Sequence, residues 1–187
     1  VSDMGFLKTY RHKHIGNKGF SLVELIVIIA IVAVSAGATT ISMSSLYSFH
    51  VKQCAYDIDA LLSKCKVGVM SKEGNVYLRL YNGTDGIYCE YYEAGIAVAN
   101  EKIAKDTVSI SYISSNGDTI NTIGTGGLYI SFDRTTGSLL TLGEAATLGG
   151  ATVGDEGYYS TAIIVESGEK NVTVRIVPTT GKHFIES

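Results

Sequence analysis

The run from Phe20 to Ala38 constrains this chain more than any other stretch: 19 residues, with Glu24 the only charged one. Wound as an α-helix rising about 1.5 Å per residue, it covers roughly 28 Å, close to the ~30 Å hydrocarbon core of a bilayer. The run is therefore predicted to cross a membrane once. Glu24 lies roughly 6 Å inside its start. A carboxylate at mid-membrane costs about 2.5–3.5 kcal/mol on insertion scales, and less near the edge. A charge in that setting calls for a partner and marks a functional position.

The charges are unevenly laid out. Residues 1–19 carry Lys8, Arg11, Lys13 and Lys18 against Asp3, a net +3. Residues 20–70 balance, and residues 71–187 hold 8 basic and 14 acidic groups, a net −6. A basic flank before an apolar run, with none just after it, predicts the N-terminus inside and the bulk of the chain outside. Residues 1–19 then read as a cytoplasmic leader. Two other readings stay open. Ala36-Gly37-Ala38 is an A-x-A site after an apolar core, where a general signal peptidase could release a soluble protein starting at Thr39. An uncleaved membrane anchor is the other. The acidic distal part gives no support for nucleic-acid binding, which needs basic patches.

The residues around the start of the run carry a resemblance. Lys18-Gly19-Phe20-Ser21-Leu22-Val23-Glu24, with a basic segment before and an apolar helix after, resembles the processing site of type IV pilins and pseudopilins. The resemblance implies cleavage after Gly19 by a prepilin peptidase, which then methylates the new amine on Phe20. It implies that Glu24 pairs with the N-terminal amine of a neighbouring subunit during filament assembly. Opposite charges in an apolar medium attract far more strongly than in water. A buried carboxylate left alone is heavily penalised.

Past the run, no proline occurs before Pro178, and Gly74-Asn75 is the first strong stop. Tyr47, Val51, Cys54, Ile58, Leu61 and Cys65 recur at spacings of 4, 3, 4, 3 and 4, one face of a helix. From Asn75 the period changes to two, and strands are predicted at 76–81, 86–92, 107–113, 119–123, 127–133, 138–142, 161–166, 171–177 and 182–185. Residues 94–105 read as a loop or a short helix, and Glu144–Gly157 as a surface loop. Arg134-Thr135-Thr136-Gly137 and Pro178-Thr179-Thr180-Gly181 are similar turns, read as shared turn chemistry rather than an internal repeat. A strand ending in Ser-Phe-Asp and a last hairpin turning on Thr-Gly resemble the minor pseudopilins of type II secretion.

The expected fold is α+β. A long N-terminal helix, membrane-spanning in its first half and amphipathic in its second, packs on an antiparallel β-sheet domain. The expected organisation is a leader over 1–19, an assembly helix over 20–40, its amphipathic continuation over 41–74 and an extracytoplasmic β-rich domain over 75–187.

Little points to catalysis. His12, His14, His50 and His183 form no HExxH, and no Walker A or GxSxG pattern occurs. Gly124-Thr125-Gly126-Gly127 leads into a strand, whereas a phosphate cradle leads into a helix. Three cysteines cannot all pair internally. Cys54 and Cys65 lie roughly 16 Å apart along a helix, beyond the ~7 Å reach of a disulfide. Either can meet Cys89, or all three are small apolar core residues. No cofactor, metal or small-molecule substrate is expected. Tyr158 and Tyr159, if exposed on a loop, are the expected partner contact.

The expected function is a structural one: a minor pilin or pseudopilin of a type IV pilus or type II secretion-like filament. Its expected partners are the prepilin peptidase, other pilin subunits and the membrane. The alternative is a membrane-anchored binding domain that does not polymerise.

Overall fold

The computed structural model describes residues 20–117, 120–153 and 156–186, side chains at 37–47 and 120 excepted. The chain divides into two compact units, Val1–Ile41 and Ser42–Ser187. Helix α1, Leu22–Ser71, contributes to both. In the first unit it begins after Ser21, and every side chain from Phe20 to Ala36 is exposed.

In the second unit α1 is amphipathic. Val51, Cys54, Ile58, Leu61 and Cys65 are buried, as their spacing predicts. Ala55, Leu62 and Val69 widen that stripe, and Tyr47 lies outside the described side chains. The helix ends at Ser71, and Gly74, at φ +82°, turns the chain into the first strand. The Arg134 guanidinium donates to the Gly74 carbonyl there.

The strands are β1 Val76–Asn82, β2 Gly86–Glu93, β3 Ile96–Lys105, β4 Ser109–Ser114, β5 Ile120–Thr122, β6 Leu128–Ile130, β7 Ser160–Ser167, β8 Lys170–Val177 and β9 Lys182–Glu186. They form two antiparallel sheets rather than the one expected, ordered β3-β2-β1-β6 and β5-β4-β7-β8-β9. The buried face of α1 and the inner faces of both sheets share one apolar core, with Ile58, Leu62, Leu78, Ile130, Phe132 and Ile163 among its fully buried side chains.

Residues 96–105, read from sequence as a loop or short helix, are the edge strand β3. Ala94 and Gly95 both have positive φ, the two-residue turn that suits a tight hairpin. Register shifts at Ile87/Tyr88 and Tyr91/Tyr92 break the pairing of β2 with β3. Each shift moves side chains to the other face, so β3 loses the alternation that marks a strand. Residues 138–142 contribute only a bridge between Phe132 and Leu139, and not a strand.

The loop expected over 144–157 holds a short helix instead, α2, Leu142–Leu148. Its start is a capping box. The Thr141 hydroxyl accepts from Glu144 N–H at 3.2 Å, and the Glu144 carboxylate accepts from Thr141 N–H at 2.9 Å. Leu142, Ala145 and Ala146 are buried beneath it.

The two Thr-Thr-Gly turns share one geometry. Gly137 N–H donates to Asp133 O and Gly181 N–H to Val177 O, both at 2.8 Å, and the two glycines have φ of +69° and +59°. The turns also touch. A Cβ on Gly181 would stand 2.1 Å from Gly137 O, and Leu139 N–H donates to Pro178 O at 2.8 Å. Lys66 of α1 donates to Thr180 O at 2.7 Å, tying the second turn to the helix.

Asp133 holds the first turn by accepting from the amides of Thr136 and Thr135 and from the Thr136 hydroxyl. The Thr136 amide, then its hydroxyl, keep the Asp133 carboxyl below the usual range. A depressed pKa gives a contribution that is full above about pH 4 and lost as the pH falls further. Asp133→Ala should therefore flatten the acid limb of a melting-temperature profile. A variant with the wild-type acid limb would show that the turn adds nothing to acid stability.

Candidate assembly site at the N-terminal helix

Ser21 caps α1. Its hydroxyl accepts from Glu24 N–H at 3.2 Å, and its carbonyl accepts from Leu25 N–H at 3.2 Å. Glu24 is thus the third residue of the helix, where the positive end of the helix dipole favours a carboxylate. Ser21-Leu22-Val23-Glu24 has the S-x-x-E spacing of a capping box. This signal went unread at the sequence level, and it gives Glu24 a local reason to be acidic beside the proposed intersubunit one. The Glu24 side chain is exposed.

Around it the helix offers an exposed apolar surface. Leu22, Val23, Leu25, Ile26, Ile28 and Ile29 are all exposed, on every side of the helix. A helix apolar all round is suited to lipid or to a bundle of other helices, not to water. Gly19 lies outside the described residues, and Phe20 is exposed immediately before the cap. Among the described residues no helix is long and apolar enough to cross a membrane. Gly37 and Ala38, the end of the 19-residue run, fall where side chains are not described.

The tyrosines divide. Tyr158 is exposed, whereas Tyr159 is half-buried against the core. Tyr159 is also held through its backbone, since its N–H donates to Ser115 Oγ and its carbonyl accepts from Ser115 N–H. Tyr92 stacks on Tyr77 at 4.5 Å and Tyr88 on Tyr81 at 5.6 Å, cross-strand pairs on β1 and β2, while Tyr91 is buried.

Cys54, Cys65 and Cys89 are free and buried, part of the core. Burial pushes all three thiols up to about 12. The glycine-rich segment 124–127 is a loop held by Arg79, which donates to Thr125 O at 2.9 Å and Gly126 O at 3.2 Å while pairing with Glu90 at 3.0 Å.

One polar pair joins residues 120 apart. Ser63 Oγ lies 2.8 Å from His183 Nε2, and His183 Nδ1 lies 3.2 Å from Gly181 O. The carbonyl fixes the proton on Nδ1 in the neutral ring, so Nε2 accepts from the Ser63 hydroxyl. Asp59 Oδ1 is 3.9 Å from that same Nε2. In a hydrolase triad the carboxylate serves the other nitrogen. Here the histidine fastens β9 to α1. Among the described residues no group of three or more His, Cys, Asp or Glu is placed to hold a metal.

Residues 16–40 match the family described as the prokaryotic N-terminal methylation motif. That motif is the signature of pilins and pseudopilins, and this chain carries it at the segment where α1 begins. It implies processing by a prepilin peptidase and assembly with other pilins. No curated protein and no solved structure matches the chain.

Proposed function

We propose that this chain is a structural subunit, a minor pilin or pseudopilin, of a type IV pilus or type II secretion-like filament. The match over residues 16–40 carries the reading. Two further observations support it: an apolar helix surface exposed from Phe20 to Ala36, and Glu24 as its only charge.

Lys8, Arg11, Lys13 and Lys18 hold the N-terminal segment inside while Phe20–Ala38 parks across the bilayer. The prepilin peptidase cuts after Gly19 and methylates the amine of Phe20. Glu24 of an incoming subunit then pairs with that amine on its neighbour. The apolar helices exchange lipid contacts for close packing with each other. The acidic β-rich domain remains outside. Tyr158, rather than Tyr159, is the residue we place at a partner contact.

Mass spectrometry of the mature chain tests this. The expected N-terminus is Phe20 carrying one methyl group. A chain beginning at Thr39, or one keeping the residues before Phe20, would overturn it.

A further inference from the structure

We propose that Ser63 is a nucleophile, a site of covalent modification by activated acyl esters, with His183 as its base. Ser63 is exposed on α1, and its Oγ lies 2.8 Å from His183 Nε2. With Nδ1 held at 3.2 Å by Gly181 O, the neutral ring presents Nε2 as an acceptor. A hydroxyl on a base, and that base oriented by a third group, is the arrangement that activates a serine. Here a backbone carbonyl orients the ring, in the place a carboxylate takes in a hydrolase triad.

The surroundings suit the proton transfer. The His183 side chain is 9% exposed, so water competes little for Nε2. Asp59 Oδ1 lies 3.9 Å from that nitrogen, buried and without a hydrogen-bond partner among the described residues. It faces the positive charge that the ring takes up with the proton. Lys66, the cation on the same side of the helix, is held at Thr180 O at 2.7 Å.

Room for the acyl group lies on the other side of Ser63. At about 100° per residue, Asp59 and Lys66 flank Ser63 on one side of α1, and Lys64 and Gly68 on the other. A cavity of about 360 Å³ opens there, with Ser63, Val67, Gly68 and Tyr91 in its wall. Gly68 lets the Tyr91 ring lie against the helix, since a Cβ there would stand 2.3 Å from the Tyr91 hydroxyl. Val67 and that ring form an apolar wall for a short acyl chain.

In the step, Ser63 Oγ bonds to the carbonyl carbon of the ester, and the bond from that carbon to the leaving group breaks. The leaving group keeps the electrons of that bond. The Ser63 proton passes to His183 Nε2 and from there to the leaving group. Ser63 lies within α1, where backbone amides are spent on the helix, so the helix lends no donor to an oxyanion. The reaction stops at one adduct per chain, a modification and not turnover.

The test treats the full chain, purified in detergent, with para-nitrophenyl butyrate and locates the butyryl group by peptide mass spectrometry. Ser71 is the internal control. It is exposed on the same helix and lines the same cavity, but its hydroxyl donates to Val67 O. Ser63 should acylate about a hundredfold faster than Ser71, the lower end of what a positioned base contributes. His183→Gln keeps a hydrogen-bonding side chain that takes up no proton, and should bring Ser63 down to the rate of Ser71. A melting curve of that variant verifies that it is folded. Equal rates at the two serines of the unaltered chain would overturn the proposal without recourse to any variant. So would an unchanged Ser63 rate in folded His183→Gln. Either failure leaves the mass of the mature N-terminus, and the processing reading with it, untouched.

Discussion

Glu24→Gln should still enter the membrane and still be cut after Gly19, yet fail to assemble. Glutamate at this position has two physical explanations, and the glutamine variant divides them. Ser21 caps the helix through the Glu24 backbone N–H, which any substitution other than proline retains. Glutamine also keeps the polar end that a capping box uses, and loses only the charge. If capping is the whole role, the variant gives up about 0.3–1 kcal/mol of dipole interaction, and filaments form normally. If Glu24 answers the amine of a neighbouring Phe20, the variant leaves a cation unpaired in an apolar bundle. Breaking such a pair costs about 3–5 kcal/mol, roughly a hundredfold to several thousandfold in an association constant. Normal filaments from Glu24→Gln, counted by microscopy beside wild type, would reduce Glu24 to a capping residue. Glu24→Ala removes both roles and should do no better than glutamine.

The second large effect is expected at Gly181, with Gly137 as its internal control. Both glycines close a Thr-Thr-Gly turn with the left-handed φ that disfavours a side chain. At Gly137 an added methyl meets the Lys66 side-chain end at 3.0 Å, and that flexible chain can shift at the cost of loosening its exposed bond to Thr180 O. Gly137→Ala should therefore cost little beyond its backbone strain, about 1 kcal/mol. At Gly181 the methyl would stand 2.1 Å from Gly137 O and 2.9 Å from the buried Phe132 ring. Neither can yield without moving the turn or the core. Gly181→Ala should lose at least about 3 kcal/mol, in the range kept for overpacking combined with backbone strain. Denaturant unfolding of the two variants side by side would read the difference. Equal losses would show that the contact between the turns carries no weight.

The two turns illustrate what a sequence can convey. Their likeness was legible as shared turn chemistry, but nothing local says that they rest against each other, because that contact is set by the core that brings β6 and β8 together. The stripe from Val51 to Cys65 was legible for the opposite reason: a helical period is a local property, and a long helix repeats it many times. Strand β3 escaped because two register shifts and an open edge erase the alternation that a one-sided strand shows. Helix α2 was written in Thr141 and Glu144, three residues apart, but seven residues are too few to display a period. The same S/T-x-x-E signal at Ser21 and Glu24 was masked by the stronger reading of an acid in an apolar run. Tyr158 and Tyr159 were alike in sequence; only the bonds to Ser115 show which one is presented. The approach of Ser63 to His183, 120 residues away, had no sequence signal at all.

The way α1 is seated has a mechanical corollary. Its contacts with the sheets run from Val51 to Val69, about 27 Å along the axis, and Ser63 and Lys66 add polar ties to His183 and Thr180 within that length. A tensile load drawn along the helix would meet these contacts in shear, all sharing the force at once, instead of peeling them in succession. A domain hung on its helix in this manner resists extraction by the sum of its contacts.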